Sequence, residues 1–237
     1  MRLRVAVNVL ALLLGIAFIG TNLAFEGLYR FALSTVPVPE VPDSEASPPV
    51  LEALWLAVGE NPGTQVPFYW AWACLGRGTD SSSGQSAIHE VAHLWLKRQR
   101  QPKTWFGRFF AEAAVEVWLS RHATVEQLQR ALAEWEDFGR GAIGISAAST
   151  AYFQVRPGAM EWPQLALLAS RVAYGSVDDP FCESERALSQ RALFVGQMLG
   201  VGMLSKAKAL QAISAPLATT PQECVCKMPG RPAARRA

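Results

Sequence analysis

The sequence predicts a mainly α-helical protein, a single helical domain behind an N-terminal transmembrane helix. Three observations carry this. Apolar residues recur at helical spacing through most of the stretch from residue 50 to 217, strand-like alternation is almost absent, and residues 5–25 carry no charge. Half of the 237 residues are apolar, enough for one good core, and the length favours one catalytic-size domain with appendages. The formal charge of +2 is small, and no Lys/Arg run is interleaved with aromatics, so nucleic acid is excluded as a partner.

The elements follow in order. Arg2 and Arg4 precede Val5–Phe25, whose 21 uncharged residues reach about 30 Å as a helix, one hydrocarbon thickness. Residues 1–25 are therefore expected to be a transmembrane signal anchor, with the N-terminus in the cytoplasm by the positive-inside tendency and the rest exported. A cleaved signal peptide with Leu10–Ile19 as its apolar core is the competing reading, but no convincing small-x-small site precedes Glu26. Both readings put the domain on the periplasmic or extracytoplasmic side of the inner membrane.

Residues 26–49 are expected to form a linker. Between Val36 and Pro49 lie five prolines and three acids, and proline fixes φ and removes donors, which makes an extended, stiff segment. Residues 50–217 form the domain. Helices are predicted over Leu51–Gly59, Ile88–Arg98, Phe106–Arg121, Val125–Phe138, Pro163–Val172, Glu183–Leu199 and Ser205–Ile213, with Thr124 and Gln127 as a capping box for the fourth. Gly139, Gly141 and Gly144 specify a tight turn entering a small-residue helix. Residues 218–237 have too few apolar side chains to pack and read as a loose basic tail.

Two patterns carry chemistry. His89-Glu90-Val91-Ala92-His93 is the zinc-hydrolase pattern His-Glu-x-x-His, in which imidazoles one helical turn apart bind the metal and the Glu activates water. Eighteen residues then separate His93 from Glu112, the spacing of the third ligand in one class of zinc aminopeptidases. Against a peptidase stand the absent Asn before that Glu and the absence of the strands such enzymes carry. Glu112 is notable in itself, because it sits beside Phe109 and Phe110 on an otherwise apolar face where a carboxylate is costly to bury.

The second pattern is a series. Glu60-Asn61, Gly84-Gln85-Ser86-Ala87-Ile88-His89-Glu90-Val91, Arg108-Phe109-Phe110-Ala111-Glu112, Thr124-Val125-Glu126-Gln127-Leu128, and Phe138-Gly139-Arg140-Gly141-Ala142-Ile143-Gly144 through Tyr152-Phe153 occur in that order. The series resembles glycosyltransferase family 51, the peptidoglycan glycosyltransferase (transglycosylase) domain of penicillin-binding proteins. The match is diverged: both glutamines of the second motif are replaced, and Phe109 stands where the third has Lys.

The resemblance implies a lysozyme-like helical fold and a set of roles. Glu60 would be the general base on the acceptor hydroxyl of lipid II. Glu112 and Arg108 would sit by the departing pyrophosphate, with a divalent cation (Mg or Mn), and Ser86 would donate to the donor substrate. His89 or His93 would lie near Glu112 and share a metal there, Zn if the histidine motif binds. Partners implied are lipid II, the membrane and other cell-wall synthesis proteins, with no cross-linking chemistry expected in this chain. A non-catalytic module that binds cell-wall precursor or protein is the alternative from another class, and a zinc metallopeptidase the further one.

Cys74, Cys182, Cys224 and Cys226 allow three pairings, of which Cys74 with Cys182 is the one to test. Phe68, Tyr69, Trp70 and Trp72, and then Trp105, Phe106, Phe109 and Phe110, cluster as candidates for the membrane interface or for the core.

Overall fold

Small residues decide how closely the helices of this protein approach one another. The computed structural model describes residues 2–69, 84–99, 104–175 and 179–217. Among them are nine α-helices and no strand, so the mainly helical class is as expected. They are α1 (Arg2–Ser34), α2 (Pro48–Ala57), α3 (Gln85–Arg98), α4 (Trp105–His122), α5 (Val125–Trp135), α6 (Ile145–Phe153), α7 (Trp162–Tyr174), α8 (Ser184–Gly200) and α9 (Lys206–Ser214). Their contacts group into two compact units, one of residues 1–40 and 65–124, the other of 41–64 and 125–237.

The first unit holds α1, α3 and α4. α1 is long and apolar enough to cross a membrane, and Leu12, Leu13, Leu14, Ile16, Phe18, Ile19 and Leu23 are all exposed. The helix runs on through residues 26–34, which the sequence reading gave to the linker. Arg121 of α4 supplies the reason. Its Nη1 and Nη2 each donate to a Glu26 carboxylate oxygen at 3.1 Å, and the guanidinium lies 4.8 Å over the Tyr29 ring. A paired, aromatic-covered charge is compatible with a helix that continues along α4. The same guanidinium donates to the Tyr69 carbonyl at 3.0 Å, and Ser120 Oγ accepts from the Tyr69 amide at 3.1 Å, so the chain before α3 is fixed at both backbone groups.

α4 begins where Thr104 Oγ1 accepts from the Gly107 amide at 3.1 Å, an N-cap. Beyond that first turn it buries Ala111, Ala113, Ala114, Val115, Val117 and Leu119, and α3 buries Ala87, Ile88, Val91, Ala92 and Leu94. Alanines on both helices let the backbones come close, which brings their next-larger side chains into contact range.

The second unit packs α2 and α5–α9 around Leu54, Phe138, Ile145, Tyr152, Leu168 and Phe194, all essentially inaccessible. α5 starts directly after Thr124. α7 opens with a capping box, in which the Glu161 amide donates to Gln164 Oε1 at 2.9 Å and Pro163 occupies the first turn. Arg191 of α8 reaches the end of α9 and donates to the carbonyls of Ile213, Ala215 and Pro216, a cation against unsatisfied C-terminal carbonyls.

The turn between α5 and α6 is the most constrained part. Gly139, Arg140, Gly141 and Gly144 all have positive φ, and the amide of Phe138 donates to Ala142 O at 3.0 Å. The Phe138 carbonyl accepts from Tyr152 Oη at 2.7 Å and from Arg171 Nε at 2.8 Å. Burial pushes the Tyr152 phenol above its ordinary range, with the Arg171 guanidinium only partly opposing it, so the hydroxyl stays a donor. Arg140, held at φ 56°, is anchored by Asp179 at 2.8 Å and covers the Phe181 ring.

Cys182 is disulfide-bonded. Cys74, with which the sequence reading paired it, lies outside the described residues, as do Cys224, Cys226, Trp70, Trp72 and the tail from residue 218.

A side chain at Gly139 would be strained. A Cβ there would stand 2.7 Å from Arg171 Nη2 and 3.2 Å from Tyr152 Oη, at φ +84°. Gly139→Ala is expected to cost about 1–3 kcal/mol, whereas Gly158→Ala, where an added methyl meets nothing within 4 Å, should be neutral. Chemical denaturation of the full chain in detergent, followed by circular dichroism, checks both; equal stability of the two variants would contradict the turn's role.

Candidate functional site

Residues one helical turn apart share a face, and two such pairs meet between α3 and α4. His89 and His93 stand on α3, Glu112 and Glu116 on α4. His89 Nδ1 lies 2.7 Å from Glu116 Oε1, a hydrogen bond, and 3.7 Å from Glu112 Oε1. His93 Nδ1 is also 3.7 Å from Glu112 Oε1. The four side chains form a ladder across the helix pair, with Glu112 between both imidazoles.

Exposure grades across the ladder. The Glu116 side chain is 8% exposed and Glu112 22%, while His89 and His93 are about half open to solvent, at 48% and 58%. A carboxylate that deep among Ala113, Val115 and Val117 carries a desolvation cost that a neighbouring donor must offset. His89 is such a donor. The half-open imidazoles form the accessible rim, so a small charged ligand arriving from solvent meets nitrogen first and carboxylate behind it.

The sequence-predicted residues divide accordingly. Glu112, His89 and His93 are brought together. Ser86 lies in the first turn of α3, partly buried, and Arg108 is exposed on α4 one turn before Glu112, on the same side of that helix. Glu60 belongs to the second unit, where it is buried just past the end of α2, its amide donating to the Trp55 carbonyl at 3.2 Å after Gly59 turns the chain at φ 90°.

Sequence reasoning missed Glu116. The signal was available: Glu116 follows Glu112 by four residues, as His93 follows His89, and it interrupts a run of Ala and Val in the most apolar part of α4. Reading by motif stops at Glu112, because Glu116 belongs to neither pattern.

At the start of α4 the aromatics form a stacked group. Trp105 is 70% and Phe106 62% exposed, with Trp105 stacked on Phe109 at 6.0 Å and Phe106 against Phe110 at 4.6 Å between centroids. Phe68 is exposed too. So much uncovered aromatic surface on one helix end is unusual for a side facing only water.

Residues 70–199, more than half of the chain, match the family described as transglycosylase. The match takes in Ser86, His89, His93, Arg108 and Glu112, and begins after Glu60. The penicillin-binding protein 1A of Mycolicibacterium smegmatis is 40% identical over 70 residues, a stretch amounting to 30% of this chain but only 9% of that much longer protein.

The His89–Glu116 contact should be measurable as a coupling. His89→Ala and Glu116→Ala, singly and together, are expected to show an interaction energy of about 1–3 kcal/mol in metal-free buffer. Additive effects would show that Glu116 draws its compensation elsewhere.

Proposed function

The chain belongs to the transglycosylase family, and from that premise we propose that it is a membrane-anchored peptidoglycan glycosyltransferase that polymerises lipid II into glycan chains. The observation that carries this reading is the family match across residues 70–199. In support, the third motif keeps its Arg-to-Glu spacing on one helix, and its Glu112 is partly buried in a cluster of ionisable groups and not spread into solvent.

The division of labour follows from the resemblance. Glu60, buried at the end of α2, takes the proton of the acceptor hydroxyl as that oxygen attacks the anomeric carbon of the donor. The bond from that carbon to the polyprenyl pyrophosphate breaks, and the pyrophosphate departs with the bonding pair. Arg108 and Glu112, on one side of α4, face the departing group, and Ser86 donates to the donor. A divalent cation at Glu112 would supply Lewis-acid charge neutralisation when bound.

Location is part of the proposal. α1 anchors the chain in the inner membrane with its N-terminus cytoplasmic, and the catalytic part works on the periplasmic or extracytoplasmic side. The uncovered Trp105 and Phe106 suit the bilayer interface from which a lipid-linked substrate is drawn. Other cell-wall synthesis proteins are natural partners of such an enzyme. The His-Glu-x-x-His stretch is not read as a peptidase, because it falls inside the transglycosylase match and among the described residues no strand accompanies it.

The test is a polymerisation assay with lipid II in detergent, using the full chain with α1 present. Glu60→Gln and Glu112→Gln should each lower the rate about a hundredfold or more without loss of helicity. Polymer undiminished by Glu60→Gln would remove Glu60 as the base. A parent chain that binds lipid II and makes no polymer would make it a binding module for cell-wall precursor instead.

A further inference from the structure

We propose that the α3–α4 face is a binding site for one zinc-class divalent cation, held by His89, Glu112 and Glu116, with His93 at its rim. The donor atoms of His89, Glu112 and Glu116 all lie within 4.8 Å of one another. Ligand atoms about 2.0–2.2 Å from a tetrahedral zinc stand roughly 3.3–3.6 Å apart. The separations here are 2.7 and 3.7 Å from His89 Nδ1 to the two carboxylates, and 3.7 Å from His93 Nδ1 to Glu112. Side-chain rotation would bring these atoms to ligand spacing around an ion.

The chemistry of the donors selects the metal. One imidazole with two carboxylates makes a mixed nitrogen and oxygen set, which suits zinc and its first-row neighbours, whereas magnesium takes oxygen and keeps its waters. The placement of the donors supports a ligand more than a simple ion pair. An isolated pair would need Glu116 and His89 alone; here Glu112 is set equidistant from both imidazoles, and the solvent-open imidazoles leave an approach for a hydrated ion. A cation there would also neutralise the deeply buried Glu116 carboxylate more fully than one imidazole does.

The inference does not depend on glycosyl transfer, since it is read with no lipid present. Full-length protein in detergent is stripped with a chelator, dialysed against zinc and analysed for metal by mass spectrometry. Cobalt substitution then reports the coordination by its visible absorption. One zinc per chain is expected, not displaced by millimolar-range magnesium.

His89→Ala and Glu116→Gln should each weaken binding by at least about tenfold, with helicity retained. His93→Ala, at the most exposed of the four positions, serves as a variant that cannot disturb the core and should weaken it as well. His122→Ala, whose imidazole bonds the Trp118 carbonyl and stacks on that ring, should bind as the parent does. A parent that holds no stoichiometric zinc overturns the proposal, as does zinc binding that survives His89→Ala and Glu116→Gln unchanged.

Discussion

Charge taken out of water must be met by opposite charge or by hydrogen bonds, and each unit of this protein is organised around places where that demand is met. In the second unit, the Phe138 carbonyl receives both Tyr152 and Arg171, Arg140 is closed by Asp179, and Arg191 is spent on the end of α9. Those contacts accompany a turn in which residue 139 sits at φ +84°, where a side chain is strained. In the first unit, Arg121 answers Glu26 and so carries α1 past the end of its uncharged run, and His89 answers Glu116. The difference between these places is access. Arg140, Asp179 and Arg191 are closed off, whereas the imidazoles of α3 open to solvent.

Much of the fold was legible because apolar periodicity reports it directly. The helices expected over Ile88–Arg98, Phe106–Arg121, Pro163–Val172, Glu183–Leu199 and Ser205–Ile213 lie within a few residues of α3, α4, α7, α8 and α9. Helix ends were less legible where a distant partner sets them. No local signal tells that Glu26 is paired to Arg121, 95 residues away, so the uncharged run by itself marks a shorter first helix than α1. The site was half legible. Spacing alone linked His89, His93 and Glu112, and the structure does bring them together. Glu116 went unseen because a buried carboxylate has no motif; only its apolar neighbours mark it.

The family membership and the ladder on α3 and α4 bear on one another. Relative to the motifs that the chain resembles, α3 has His89 and α4 has Phe109 in place of a lysine, and one turn beyond the third motif α4 carries a second acid, Glu116. This face therefore has less fixed positive charge than the motif would give, beside two carboxylates, on the proposed side of the pyrophosphate. Two phosphates beside two carboxylates repel unless a cation intervenes. If both proposals hold, the metal and the substrate are electrostatically linked, each favouring the other's binding.

That linkage is open to a direct measurement, the equilibrium affinity of the full-length chain for lipid II in detergent, determined once on chelator-stripped protein and once on the same protein carrying one equivalent of zinc. The account predicts about tenfold or greater tightening with zinc, within the usual range of coupling between two sites, and that His89→Ala abolishes the difference. Equal affinities in the two states would contradict that linkage.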